Sequence, residues 1–172
     1  MTAVAGSVYT AAQFNTFVRD NLNETAPAKA TTNGGYFVST ALNQIAERVG
    51  SAQTFAAQET TASTTFDDLP TAGPTVTVTT GTLALVIFGC EQSNDGTGST
   101  RTSVEVTGAS SIAAEDIRAL TLSGVDAGAL LQASHAVFYI DLLPGVNTFT
   151  MKYRVSSGTG TFRRRRLIVL PY

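Results

Sequence analysis

"PTVTVTTGTLALVIFGC", residues 74–90, decides the fold. Its first half alternates threonine with valine, so in an extended chain Val76 and Val78 share one face and the threonines the other. After Gly81 the alternation gives way to a nearly continuous apolar run, which reads as a strand buried in a sheet. Neither half has the 3.6-residue period of a helix.

The period of two continues outward in both directions. Upstream, "TFAAQETTASTTFDDLP" (54–70) offers one or two strands with a proline stop. Downstream, "STRTSVEVTG" (99–108), "IRALTLSG" (117–124), "LLQASHAVFYIDLL" (130–143), "NTFTMKYRVSS" (147–157) and "GTFRRRRLIVLP" (160–171) complete the set. Turn signals separate them, and "SNDGTGS" (93–99) reads as a hairpin loop. Evenly spaced short strands with no helices between them predict a mainly β fold, with a jelly-roll-like antiparallel β-sandwich over residues 53–172.

Residues 1–52 read differently, as a short helical N-terminal segment suited to docking. In "YTAAQFNTFVRDNL" (9–22), Thr10 and Gln13 have the capping-box spacing. Phe14, Phe17, Val18 and Leu22 form one apolar stripe, and Pro27 stops the element. A helix this short is marginal in water, so its stripe must dock on something. A turn at Asn33-Gly34-Gly35 leads into a short extended piece. "TALNQIAERVG" (40–50) then predicts a second helix, with Thr40 as cap, Leu42, Ile45, Ala46 and Val49 at helical spacing, and Gly50 as stop.

Charge narrows the function. Only 14% of residues are charged, and 11 Lys and Arg stand against 13 Asp and Glu. Nucleic acid is therefore not the expected partner, because its binders carry a basic excess. Four of the basic residues are consecutive, Arg163–Arg166. On a regular strand, Phe162, Arg164, Arg166, Ile168 and Leu170 would share one face, and Arg163, Arg165, Leu167 and Val169 the other. The arginines are expected at a subunit interface or in surface ion pairs with carboxylates such as Asp67, Asp68, Asp116 and Asp141, polyanion binding being the alternative.

Other candidate chemistry is sparse. The lone Cys90 lies within an apolar run and reads as a buried, inert thiol. His135, the single histidine, has no ligand partners in view, so no metal site and no nucleophile–histidine–acid arrangement is expected. The pairs Asp67-Asp68 and Glu115-Asp116 would face apart on strands and make no acid–base couple. No enzyme activity and no cofactor are expected. No apolar stretch is long enough for a membrane helix, and the N-terminus lacks the charge and apolar core of a secretory signal. Tyr36, Tyr139, Tyr153 and Tyr172 are the side chains available for stacking on sugars.

The "YTAAQFNTFVRDNL" helix, the Thr/Gly-rich bridge and the "ALNQIAER" segment together span residues 7–49. In them the chain resembles an N-terminal module of tailed-phage virion proteins, particularly of phages that infect actinobacteria. The resemblance implies a bacteriophage virion structural protein, a minor tail or fibre-type protein with a C-terminal sandwich like that of tumour necrosis factor. It implies a homotrimer docked through the N-terminal segment on the tail or the major capsid protein. Capsid decoration, a head fibre, or a module binding a host surface glycan or receptor are the alternatives. The family carries no catalytic residues to transfer.

Overall fold

A computed structural model of the chain describes residues 8, 10–23, 29–124 and 129–172. The first seven residues, Pro27 and most of the turn signal "SGVDAG" (123–128) lie outside them. The chain divides into two compact units, Met1–Glu47 and Arg48–Tyr172.

In the first unit, α1 (Ala11–Phe14) runs into a π-helical turn (Asn15–Arg19) and then α2 (Asp20–Asn23). The capping box is formed: Gln13 N donates to Thr10 Oγ1 at 3.2 Å, and Thr10 N donates to Gln13 Oε1 at 3.0 Å. Past the Asn33-Gly34-Gly35 turn the chain makes a two-stranded sheet of β1 (Tyr36–Ala41) and β2 (Gln44–Arg48). The helix expected over residues 40–50 is therefore wrong. Two-residue loops with positive φ suit hairpins, and Asn43 adopts φ 59° between the strands. Glu47 then accepts from Thr31 N (2.9 Å) and Thr32 N (3.0 Å), tying β2 to the segment before β1. These bonds hold its carboxyl below the usual value, the Thr31 hydroxyl contributing most.

The described residues of the second unit form nine strands in two sheets. They are β3 (Ser51–Phe55), β4 (Glu59–Thr61), β5 (Thr75–Thr80), β6 (Leu83–Asn94), β7 (Ser99–Gly108), β8 (Leu120–Ser123), β9 (Leu131–Ile140), β10 (Gly145–Val155) and β11 (Gly160–Pro171). One sheet runs β3-β11-β6-β9, with β4 continuing the β3 edge along β11; the other runs β5-β10-β7-β8. Counting β3 and β4 as one interrupted strand and numbering the strands one to eight, the orders are 1-8-3-6 and 2-7-4-5. That is a long antiparallel hairpin rolled up, strand one on eight, two on seven, three on six and four on five. The fold is a jelly roll.

Rolling sends most successive strands to opposite sheets. The "SNDGTGS" loop accordingly joins β6 to β7 across the sandwich and closes no hairpin, which corrects the sequence reading. It is latched to the β10–β11 turn: Asp95 N donates to Thr159 O at 3.0 Å, and Asn94 Nδ2 donates to Ser157 O at 3.0 Å.

The core lies between the sheets. Val86, Phe88, Leu167 and Val169 meet Val76, Val104, Phe149 and Met151 there. Tyr139 packs edge-on against Phe149 at 5.9 Å and donates its hydroxyl to Val104 O at 2.7 Å, joining the sheets by an apolar and a polar contact at once. His135 is half-buried and stacks edge-on with Phe88.

Candidate assembly surface

The four consecutive arginines sit in β11, and a β-bulge separates their fates. Arg163 is opposite Glu91 on β6, but Arg166 is opposite Gly89, so Arg164 and Arg165 together face the single residue Cys90. Arg164 takes up the extra residue at φ 49°. The interruption between β3 and β4 lies on the other side of the same bulge.

The expected alternation holds from Arg164 onward, and the bulge exchanges Phe162 and Arg163 between the faces. Phe162, Arg165, Leu167 and Val169 point inward, whereas Arg164 and Arg166 are exposed and Arg163 is half-exposed. Arg165 is fully buried. Its Nη1 donates to Thr71 O (3.1 Å) and Gly73 O (3.2 Å), its Nη2 lies 3.0 Å from Glu59 Oε2, and its guanidinium lies over Phe55 and Tyr153. Burial pushes the Glu59 carboxyl up, but hydrogen bonds from Thr71 and the Arg165 charge outweigh it and leave it below its ordinary value. Arg163 and Arg164 share Glu91, Arg164 Nη1 at 2.5 Å from Oε1 and Arg163 on Oε2. The Arg163 hydrogen bond is the main cause of a lowered Glu91 pKa. The carboxylates expected as partners, Asp67, Asp68, Asp116 and Asp141, are not used. Asp116 instead bridges Arg101 and Arg154 on the other sheet, and Asp68 holds Lys152 at 2.8 Å.

The remaining arginine differs. Every other Lys and Arg has a hydrogen bond, ion pair, ring contact or electrostatic interaction, and the Arg166 side chain has none among the described residues. With Arg164, Gln132 and Ser134 it rims a depression of about 100 Å³ floored by Ile87 and Ile168. Gly89 belongs to that floor, and a Cβ there would run into the Ala133 carbonyl of β9.

Beyond Arg166 the outer face of this sheet is apolar. Leu85 stands between Phe138 and Leu170, and Ile87 between Ala136 and Ile168. Phe138 is 55% exposed and Ile140 62%. The uninterrupted runs in β6 and β11 read as strands covered on both faces, and a single chain covers only one of them. The exposed side chains could be recognised from sequence only once the inward set was known.

The stripe on the N-terminal helix is also uncovered: Phe14, Phe17 and Leu22 are 52%, 44% and 61% exposed, and Val18 is half-buried. Of the four tyrosines considered for sugars, Tyr139 and Tyr153 are core residues, which corrects that expectation. Tyr153 donates to Gly73 O at 2.9 Å. Cys90 is buried, and desolvation pushes its thiol up to about 12. Among the described residues no group of His, Cys, Asp and Glu is placed to hold a metal, and no helix is long and apolar enough to cross a membrane.

No protein-family model and no curated protein matches the chain. Among solved structures it is similar to one from the infectious bursal disease virus Gx strain, at 10% identity and TM-score 0.42, over 78% of this chain and 36% of that one. A CBM35 module of Cellvibrio japonicus Abf62 matches at 17% identity and TM-score 0.32, over 70% of this chain and 93% of that one. The carbohydrate-binding module CBM6cm-2 of Cellvibrio mixtus lichenase 5A, solved with cellotriose, matches at 13% identity and TM-score 0.30, over 86% and 95%. The chain thus spans about a third of the first of these and nearly all of the other two.

Proposed function

We propose that the chain is a structural protein of a bacteriophage particle that assembles with copies of itself through the apolar outer face of sheet β3-β11-β6-β9. The observation that carries the assembly reading is that face. A jelly-roll sheet working alone in water would present polar side chains outward, yet here leucine, isoleucine and phenylalanine stand in adjoining rows. The phage setting is supported by the N-terminal segment, whose sequence resembles tailed-phage virion modules and whose Phe14, Phe17 and Leu22 are exposed, as a docking stripe requires. Its partner there is a tail protein or the major capsid protein. The role assigned is architectural, with no catalysis.

Gold-labelled antibody against the chain, applied to intact purified particles, tests this. Label on the tail supports a minor tail or fibre position, and label over the head supports capsid decoration. Particles that take no label and lack the chain by mass spectrometry would refute the proposal.

A further inference from the structure

We infer that a second copy of this chain covers the apolar sheet face in an antiparallel, twofold arrangement, with Arg166 of each copy against Asp141 of the other. Arg166 is the one basic residue without a described partner. Asp141 is its counterpart: exposed, and without a hydrogen bond or ion pair among the described residues. Arg166 belongs to the sheet, and Asp141 is the first residue beyond β9, in a bend at φ 60°. Arg166 lies opposite Gly89, which pairs with Ser134 on β9, and Asp141 directly follows Ile140 at the far end of that strand.

Strand geometry sets the two apart by seven residues along the strands, roughly 23 Å, and by two strand spacings across the sheet, roughly 10 Å. Between the two charges run the rows of Leu85, Ile87, Phe138 and Ile140. The Arg166 end is basic overall, because Glu91 is already shared by Arg163 and Arg164. Among the described residues no Lys or Arg forms an ion pair with Asp141 at the other end, where Leu83 pairs with Ile140.

Symmetry then selects the arrangement. A twofold axis across the stripe reverses one copy on the other, so each basic end meets an acidic end and the apolar rows meet each other. A threefold ring with its strands along the axis, as the phage resemblance implies, would instead gather three Arg166 side chains at one level with no carboxylate among them. The face measures roughly 20 by 23 Å by strand spacing and rise, a small interface, so association in the micromolar range is expected.

This rests on the self-assembly proposed above, and the test separates the two. Sedimentation velocity of the full chain from about 1 to about 100 μM is expected to show a dimer, spanning the micromolar affinity anticipated for so small a face. Arg166→Asp and Asp141→Arg should each weaken dimerisation at least tenfold, and the double exchange should restore it. Both positions are exposed, and unchanged circular dichroism will show that the variants fold. A dimer or trimer indifferent to both single substitutions overturns the pairing but leaves self-assembly standing. A double exchange that fails to recover also overturns the pairing, and a wild-type monomer at the highest concentration overturns both.

Discussion

Arg165 on β11 and Glu59 on β4 meet inside the sandwich, Nη2 3.0 Å from Oε2, with the arginine wholly shielded from water. Arg165 shares the inward face of Leu167 and Val169 by simple alternation, and the bulge at Arg164 brings Phe162 onto that face too, where regular pleating would have kept Phe162 and Arg165 on opposite sides. Charge in such a place is stable only while paired and hydrogen-bonded.

Breaking the pair should therefore be costly. Arg165→Ala strands the Glu59 carboxylate, and Glu59→Ala strands the guanidinium; each should destabilise by about 3–5 kcal/mol. Replacing both with methionine should recover most of the loss, since apolar substitutes of similar volume need no partner. Urea unfolding of the three variants checks this, and a double variant as unstable as the singles would show that the pair is held by more than its own charges.

Acid should destabilise the fold through the same region. Glu59 and Glu91 are both held below their ordinary 4.5 in the folded chain, so folding favours their charged forms. Their stabilisation is complete above 4.5 and is lost as the pH falls through the lowered values. Glu91→Gln should thus lower the urea midpoint near neutrality and converge with the wild type in acid. A difference that is the same at every pH would rule out titration of Glu91 as the cause.

Cys90 should resist thiol reagents in the folded chain. Its thiol is buried beside Thr102 Oγ1 at 3.5 Å and titrates only near 12, so thiolate is scarce and access closed. Ellman's reagent should react fully in denaturant and negligibly without it. Fast native labelling would mean that the sheets open on the labelling timescale.

Tyr139→Phe removes the 2.7 Å bond to Val104 O while keeping the ring against Phe149. The carbonyl left behind is buried, so a loss of about 1–3 kcal/mol is expected. Thermal unfolding measures it, and an unchanged midpoint would mean that another donor replaces the hydroxyl.

Phe14→Ala combined with Phe17→Ala should reduce incorporation into particles while leaving the sandwich unfolding transition in place. Both rings are exposed, so the substitutions remove docking area and little internal packing. Quantitative blotting of purified particles reads the effect; undiminished incorporation would move the anchor elsewhere.

The strands were legible in the sequence because their signal is local. Alternation in β5 and β7 and the apolar runs of β6 and β11 mark strands without reference to any neighbour, and so does the Thr10–Gln13 cap for the first helix. The segment from Thr40 to Gly50 misled because its apolar spacing also fits a hairpin, and Asn43 with the Glu47 contacts decided for strands. Which sheet each strand joined, and which side of β11 each arginine took, rested on pairings between residues seventy positions apart. One extra residue in a ladder reverses every side chain beyond it, and periodicity within one strand carries no information about its partner's register. The local pattern determined that this is a β protein with a capped helix ahead of it. Only the tertiary structure decided which face of β11 lay inside, brought Phe162 in and turned Arg163 out to Glu91 by bulging β11 against β6, and left one sheet face apolar and open.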